Sequence, residues 1–162
     1  MVDLLHDIPP GEENEINVIV EIPQGSRNKY EYDKKHRIFA FDRMLYSPFH
    51  YPADYGFVPQ THCADGDPLD AFVLMREPTF PGILVKSRPV AVMHMIDGKD
   101  QDDKLICVPV DDPFYKDVKD LKDLPEHLLK EIQHFMERYK DLQGKKVEVK
   151  GKDLIVGGKK IK

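Results

Sequence analysis

Tryptophan is absent from this chain of 162 residues, and cysteine occurs only at Cys63 and Cys107. Two thiols cannot staple a small secreted domain, so a reducing, cytoplasmic setting is expected. Cys63 follows His62, but no second Cys/His pair at zinc spacing completes a site. No apolar run is long enough for a transmembrane helix. The first ten residues carry Asp3 and Asp7 and no apolar stretch, so no signal peptide is expected there. Positive charge is also short: the formal net charge is −5, which argues against non-specific binding to nucleic acid or an anionic membrane. A Gly-rich P-loop is missing, which excludes a nucleoside triphosphatase of that type, and so is a Gly-x-Ser-x-Gly nucleophile motif. Repeats, low-complexity runs and linkers are missing too. What remains, 41% hydrophobic and 33% charged residues, suits one globular domain over 1–162 with a real core.

The chain is organised around Asp65-Gly66-Asp67-Pro68-Leu69-Asp70. Gly66 permits backbone angles that other residues resist, and Pro68 forbids a helix, so these carboxylates sit on a tight turn. Leu69 to Met75 is almost wholly apolar and reads as a buried strand, which places Asp70 where that strand begins. Like charges forced together need a positive partner, and no Lys or Arg lies inside the turn. Oxygen-only ligands point to Mg²⁺, Mn²⁺ or Ca²⁺. The plain alternative is a solvated acidic turn, since Asp and Gly are ordinary turn residues.

Along the chain, Ile16 to Ile22 alternates as a strand with Ile16, Val18, Val20 and Ile22 on one face and Glu21 on the other. Lys29 to Tyr32 follows, with Lys29 and Glu31 sharing a face. Pairing of these strands through the Gln24–Asn28 turn would give Glu21, Lys29 and Glu31 one surface, with a wet ion pair as the plain alternative. Ile38 to Arg43 reads as a strand with Phe39, Phe41 and Arg43 on one face, Arg43 reaching for water or an anion. Phe49 to Phe57, bounded by Pro48 and Pro59, reads as a rigid irregular loop whose tyrosines pack or offer hydroxyls. Ile83 to Lys86 and Val90 to Ile96 are strands separated by Pro89. Asp97 to Lys104 is a second acidic turn, and Leu105 to Val110 another apolar strand. Two acidic turns each bordering a buried strand favour a metal site over two solvated loops. A helix is expected from about Pro125 to Leu142, with Leu128, Ile132, Phe135, Met136, Tyr139 and Leu142 as its buried stripe and Gly144 as its stop. Lys145 to Lys150 closes the pattern as a last strand, and 151–162 is an atypical basic tail.

Many short strands and one late helix predict a mainly β fold with α: a closed or partly closed barrel, because open edges invite aggregation. Asp65, Asp67, Asp70, Asp97 and Asp102 can hold more than one cation. Lys29, Arg43, Lys104 and Lys140, with Tyr55 and Tyr139, can hold a multiply charged anion. That combination suits phosphate chemistry, and hydrolysis by a metal-activated water needs neither absent motif.

These residues resemble a soluble family I inorganic pyrophosphatase of archaeal or bacterial type, over about residues 3 to 151. The matching stretches are Glu21, Ser26 to Glu31, Asp42-Arg43, Tyr51 to Gly56, Asp65 to Asp70, Asp97-Gly98, Asp102 to Lys104 and Tyr139-Lys140. The resemblance implies a five-stranded OB-like barrel with added helices. It also implies hydrolysis of diphosphate to two phosphates with several Mg²⁺ ions, Mn²⁺ being a possible substitute. By position, Asp65, Asp70 and Asp102 would bind the tightest metal, and Asp97 and Asp102 the metals that arrive with substrate. Glu21 and Glu31 would have outer roles. Lys29, Arg43, Tyr55, Lys104, Tyr139 and Lys140 would contact the phosphates, and Asp67 would be the base. A homo-oligomer, with a hexamer favoured, is implied as well. Gly98 departs from the acidic residue many members carry, and Leu154 to Gly158 is a poor helix former where the family continues into a helix. Among other readings, an EF-hand loop starting at Asp65 fails, because its sixth and twelfth places are Asp70 and Arg76. A non-catalytic cation-binding protein and an OB-type binding domain stand as alternatives, the latter wanting a basic aromatic groove.

Overall fold

The computed structural model describes residues 2–63, 66–156 and 159–161. Asp65 therefore lies outside the described residues. The strands are β1 (Gly11–Glu12), β2 (Glu15–Ile22), β3 (Asn28–Asp33), β4 (Ile38–Met44), β5 (Asp54–Phe57), β6 (Asp70–Val73), β7 (Leu84–Asp97), β8 (Asp100–Gln101), β9 (Lys104–Pro109), β10 (Val147–Val156) and β11 (Lys159–Ile161). One α-helix, α1 (Glu126–Arg138), precedes β10.

Strands β2, β5, β6, β9 and β7 form a ring that a β2–β7 pairing closes, so the expected five-stranded barrel is present. Closure removes the open edges that short strands would otherwise present. The β6–β9 pair is parallel; its neighbours in the ring are antiparallel. Period-two alternation splits the strands between two apolar clusters. Phe72 and Ile106 join the cluster that includes Ile132, Phe135 and Met136 of α1, while Ala71, Val73 and Cys107 pack with Val18. Each fully buried Ile or Phe in the first cluster contributes about 1.5–3 kcal/mol. Gly56 has a steric reason: a Cβ there would sit 1.9 Å from the Ile19 carbonyl oxygen of β2.

Several expectations change. The stretch read as an irregular loop ends in β5, whose four residues are all buried. Ser-, Gly- and Pro-bounded segments covered on both faces show no alternation to read. The two strands expected around Pro89 are one long strand, β7. A register shift between Pro89 and Ala91 accommodates the missing N–H. β3 does not pair with β2; it forms a separate two-stranded sheet with β4. In that sheet Lys29 stands opposite Arg43 and Tyr30 opposite Phe41, so a bulge at Asp42 turns Arg43 onto the Lys29 face and away from the Phe39–Phe41 stripe. The helix ends at Arg138, and Leu142 is 67% exposed, outside the buried stripe. The tail continues β10 and returns as β11.

Candidate active site

The ring's register puts opposite charges side by side. Asp70 and Lys104 are direct partners across the parallel β6–β9 pair. Their side chains meet at 2.6 Å, and Lys104 also reaches Asp102 at 2.9 Å. From β5, the Tyr55 hydroxyl donates to the same Asp70 carboxylate at 2.9 Å. Lys104 is only 3% exposed. Burial opposes its charge, but the adjoining Asp70 and Asp102 carboxylates outweigh burial and raise its pKa. Burial first, then the Asp70 charge, hold the Tyr55 phenol well above its ordinary pKa, so it stays a donor.

A second cluster closes from the helix side. Lys140, just past α1, binds Asp97 at the end of β7 at 2.6 Å. Burial lowers the Lys140 pKa, and Tyr139 and Asp97 more than compensate. Tyr139 is fixed by stacking on Phe135, ring centroids 4.9 Å apart.

The β3–β4 sheet forms the opposite wall. Lys29 lies 3.3 Å from Glu31 and 3.6 Å from Asp42. Glu21 of β2 accepts the Tyr32 backbone N–H at 2.8 Å, which ties β2 to β3 without a ladder. Burial, and after it the charge of Asp70, push the Glu21 carboxyl up to about 8. In the signature turn Gly66 has φ 86°, and Cys63 closes the turn with two backbone hydrogen bonds, to Gly66 and Asp67.

All of these walls face one cavity of about 320 Å³. Glu21, Lys29, Glu31, Tyr55, Asp67 and Asp70 line it, as do Asp97, Asp102, Lys104, Tyr139 and Lys140. Arg43 stands outside the lining, opposite Lys29 and bonded to Asp42, and its buried Nε finds no hydrogen-bond partner among the described residues. Sequence reasoning missed Lys34, which lines the cavity and reaches Asp67 at 3.5 Å; Tyr51, within a matched stretch but given no role, is also on the wall. Lys34 lies three residues after the matched Glu31, which is the only signal it carried. Among the described residues no three His, Cys, Asp or Glu side chains converge on one point. The Lys104 ammonium occupies the space between Asp70 and Asp102. The donors are nonetheless all oxygens, which fits hard divalent cations.

A family model described as inorganic pyrophosphatase matches residues 18–155. The chain belongs to the inorganic pyrophosphatase family. It is 55% identical over 145 residues to an inorganic pyrophosphatase of Methanosarcina mazei, covering 89% of this chain and 86% of that protein. The Halalkalibacterium halodurans inorganic pyrophosphatase is 53% identical, covering 83% and 82%. Among solved structures, an inorganic pyrophosphatase from Thermus thermophilus superposes with a TM-score of 0.91 at 40% identity, covering 95% of this chain and 91% of that one. Family membership makes this a metal-dependent inorganic pyrophosphatase, and the cavity gathers carboxylates, ammoniums and tyrosine hydroxyls in one place. No helix among the described residues is long and apolar enough to cross a membrane.

Proposed function

We propose that this protein hydrolyses inorganic diphosphate to two phosphates with Mg²⁺ in the cavity between β3–β4, the barrel and the end of α1. The observation that carries this reading is the pairing of Lys104 with Asp70 and Asp102 and of Lys140 with Asp97. Each pair holds one group for a cation and one for an anion. Asp65, Asp70, Asp97 and Asp102 would hold Mg²⁺, with Glu21 and Glu31 behind them and Mn²⁺ as a substitute. Bound Mg²⁺ would neutralise diphosphate oxygens and acidify an attacking water.

This chain's own residues do the rest. With Asp70, Asp102 and Asp97 holding cations, the Lys104 and Lys140 ammoniums would be available to phosphate oxygens. Lys29 faces the same anion from the opposite wall; Arg43, on the Lys29 face of that sheet but outside the cavity lining, would have to swing toward the cavity to join it. Tyr55 and Tyr139 donate hydroxyls. Asp67, at the exposed lip, accepts the proton of the attacking water, an effect of roughly 10²–10⁴ in rate. A homo-oligomer, a hexamer first, and a cytoplasmic setting complete the proposal.

The cavity lining is rich in clustered Lys, Asp, Glu and Tyr, which favours diphosphate over nucleotides. The test is phosphate release with Mg²⁺ from diphosphate, ATP and a phosphodiester side by side. Diphosphate should dominate. Equal turnover of ATP and diphosphate would refute the reading. Light scattering at micromolar concentration checks assembly, where a monomer mass would refute the oligomer.

A further inference from the structure

Behind the second acidic turn lies a polar cluster that the chemistry above does not use. The β7–β9 register pairs Met93 with Lys104, and the β7–β8 register pairs Ile96 with Gln101. Continued across the gap, this register sets His94 opposite Asp103 and Met95 opposite Asp102. The contacts agree: the Asp102 N–H donates to the Met95 carbonyl at 2.9 Å, and His94 Nδ1 meets Asp103 Oδ2 at 3.0 Å. Gln101 Nε2 donates to the same Asp103 carboxylate at 3.1 and 3.3 Å. Both ends of the His94–Asp103 pair are largely buried, at 15% and 24% exposure.

Alternation then divides labour. Asp102 and Lys104 line the cavity, while Asp103 between them points to the far face. We propose that His94, Gln101 and Asp103 form a brace that fixes the link between β8 and β9, and so sets the direction in which Asp102 and Lys104 enter the cavity. These are positioning residues: they touch neither substrate nor the reacting atoms. The brace matters because one short link, tied at Asp103 and at the Asp102 N–H, carries two of the cavity's charged groups. Outer partners of a ligating carboxylate typically govern metal affinity by 10–100-fold.

The inference rests on the Mg²⁺-dependent reading above, so its test reads Mg²⁺ binding directly, by calorimetry without diphosphate. Thermal unfolding in chelator is followed in parallel. We expect His94→Ala and Asp103→Ala each to weaken Mg²⁺ binding roughly tenfold, with the double variant little worse than either. His94→Gln, which keeps a donor, should recover most of the loss. Gln101→Ala, at an exposed position, tests the brace without threatening the fold and should give a smaller loss of the same kind. Unchanged Mg²⁺ affinity in His94→Ala and Gln101→Ala would overturn the brace. So would strictly additive losses, or a loss in Asp103→Asn that His94→Ala does not share, since Asp103 would then act on the metal itself. Absence of Mg²⁺ binding by the unmodified protein would instead overturn the reading on which the brace rests.

Discussion

The two acidic turns reach one cavity by different routes. The second, Asp97 to Lys104, is strand-borne at both ends. Gly98 and Lys99 make a two-residue hairpin loop, and Asp97 and Asp102 are each held by a buried or half-buried ammonium. The first turn is built differently. Asp70 is the first residue of β6 and is gripped by Tyr55 and Lys104, but Asp67 stands on the loop with its side chain 67% exposed and Lys34 at 3.5 Å. Carboxylates on strands, or on a short link tied to one as Asp102 is, are pre-positioned for a cation. Asp67, at the lip beside them and paired with Lys34, is the carboxylate proposed to take the proton.

Breaking the lip should have the largest effect. Asp67→Asn keeps the shape and removes the proposed base. Diphosphate hydrolysis should fall by roughly 10²–10⁴ at saturating Mg²⁺, with its pH optimum moved upward. Steady-state rates across pH check this.

Next comes the strand-borne hub. Lys104→Met leaves Asp70 and Asp102 facing each other without the buried ammonium. The metal-free protein should lose about 3–5 kcal/mol by denaturant unfolding. Mg²⁺ should restore part of that loss by binding the same carboxylates.

A smaller effect concerns pH. The Glu21 carboxyl, pushed up to about 8 by burial and Asp70, keeps its proton in the folded protein where the unfolded chain, at its ordinary value of 4.5, has lost it. This contribution to stability is complete below pH 4.5 and is lost as pH rises to about 8. In chelator, Glu21→Gln should therefore show a shallower fall of stability over that window than the unmodified protein. Equal slopes would contradict the assignment.

Smallest is Gly98→Asp, which restores the acidic residue expected from the resemblance. Open space surrounds a Cβ there, but φ is +67°. The cost should be about 1 kcal/mol, read by unfolding in chelator.

Local chemistry is what the sequence carries legibly. Gly66 and Pro68 announce the turn, and the apolar run after Asp70 announces β6. The strand pattern and the late amphipathic helix announce a mainly β fold. The Glu21, Lys29 and Glu31 surface was also legible, although the Tyr32 N–H bond to Glu21 makes it rather than the expected strand pairing. Long-range register was not legible. Nothing local says that Asp70 and Lys104 are parallel partners, or that Asp103 turns away to meet His94. β5 escaped because burial on both faces erases alternation. The bulge at Asp42 escaped because one extra residue reverses the faces beyond it, taking Arg43 with it.

The central claim is that Asp67 acts in the chemical step while Asp70 acts through the cation. The direct test is diphosphate hydrolysis against Mg²⁺ concentration for Asp67→Asn and Asp70→Asn. Raising Mg²⁺ should recover part of the Asp70→Asn loss and leave the Asp67→Asn loss unchanged. Full recovery of Asp67→Asn at high Mg²⁺ would make Asp67 a ligand and contradict the account.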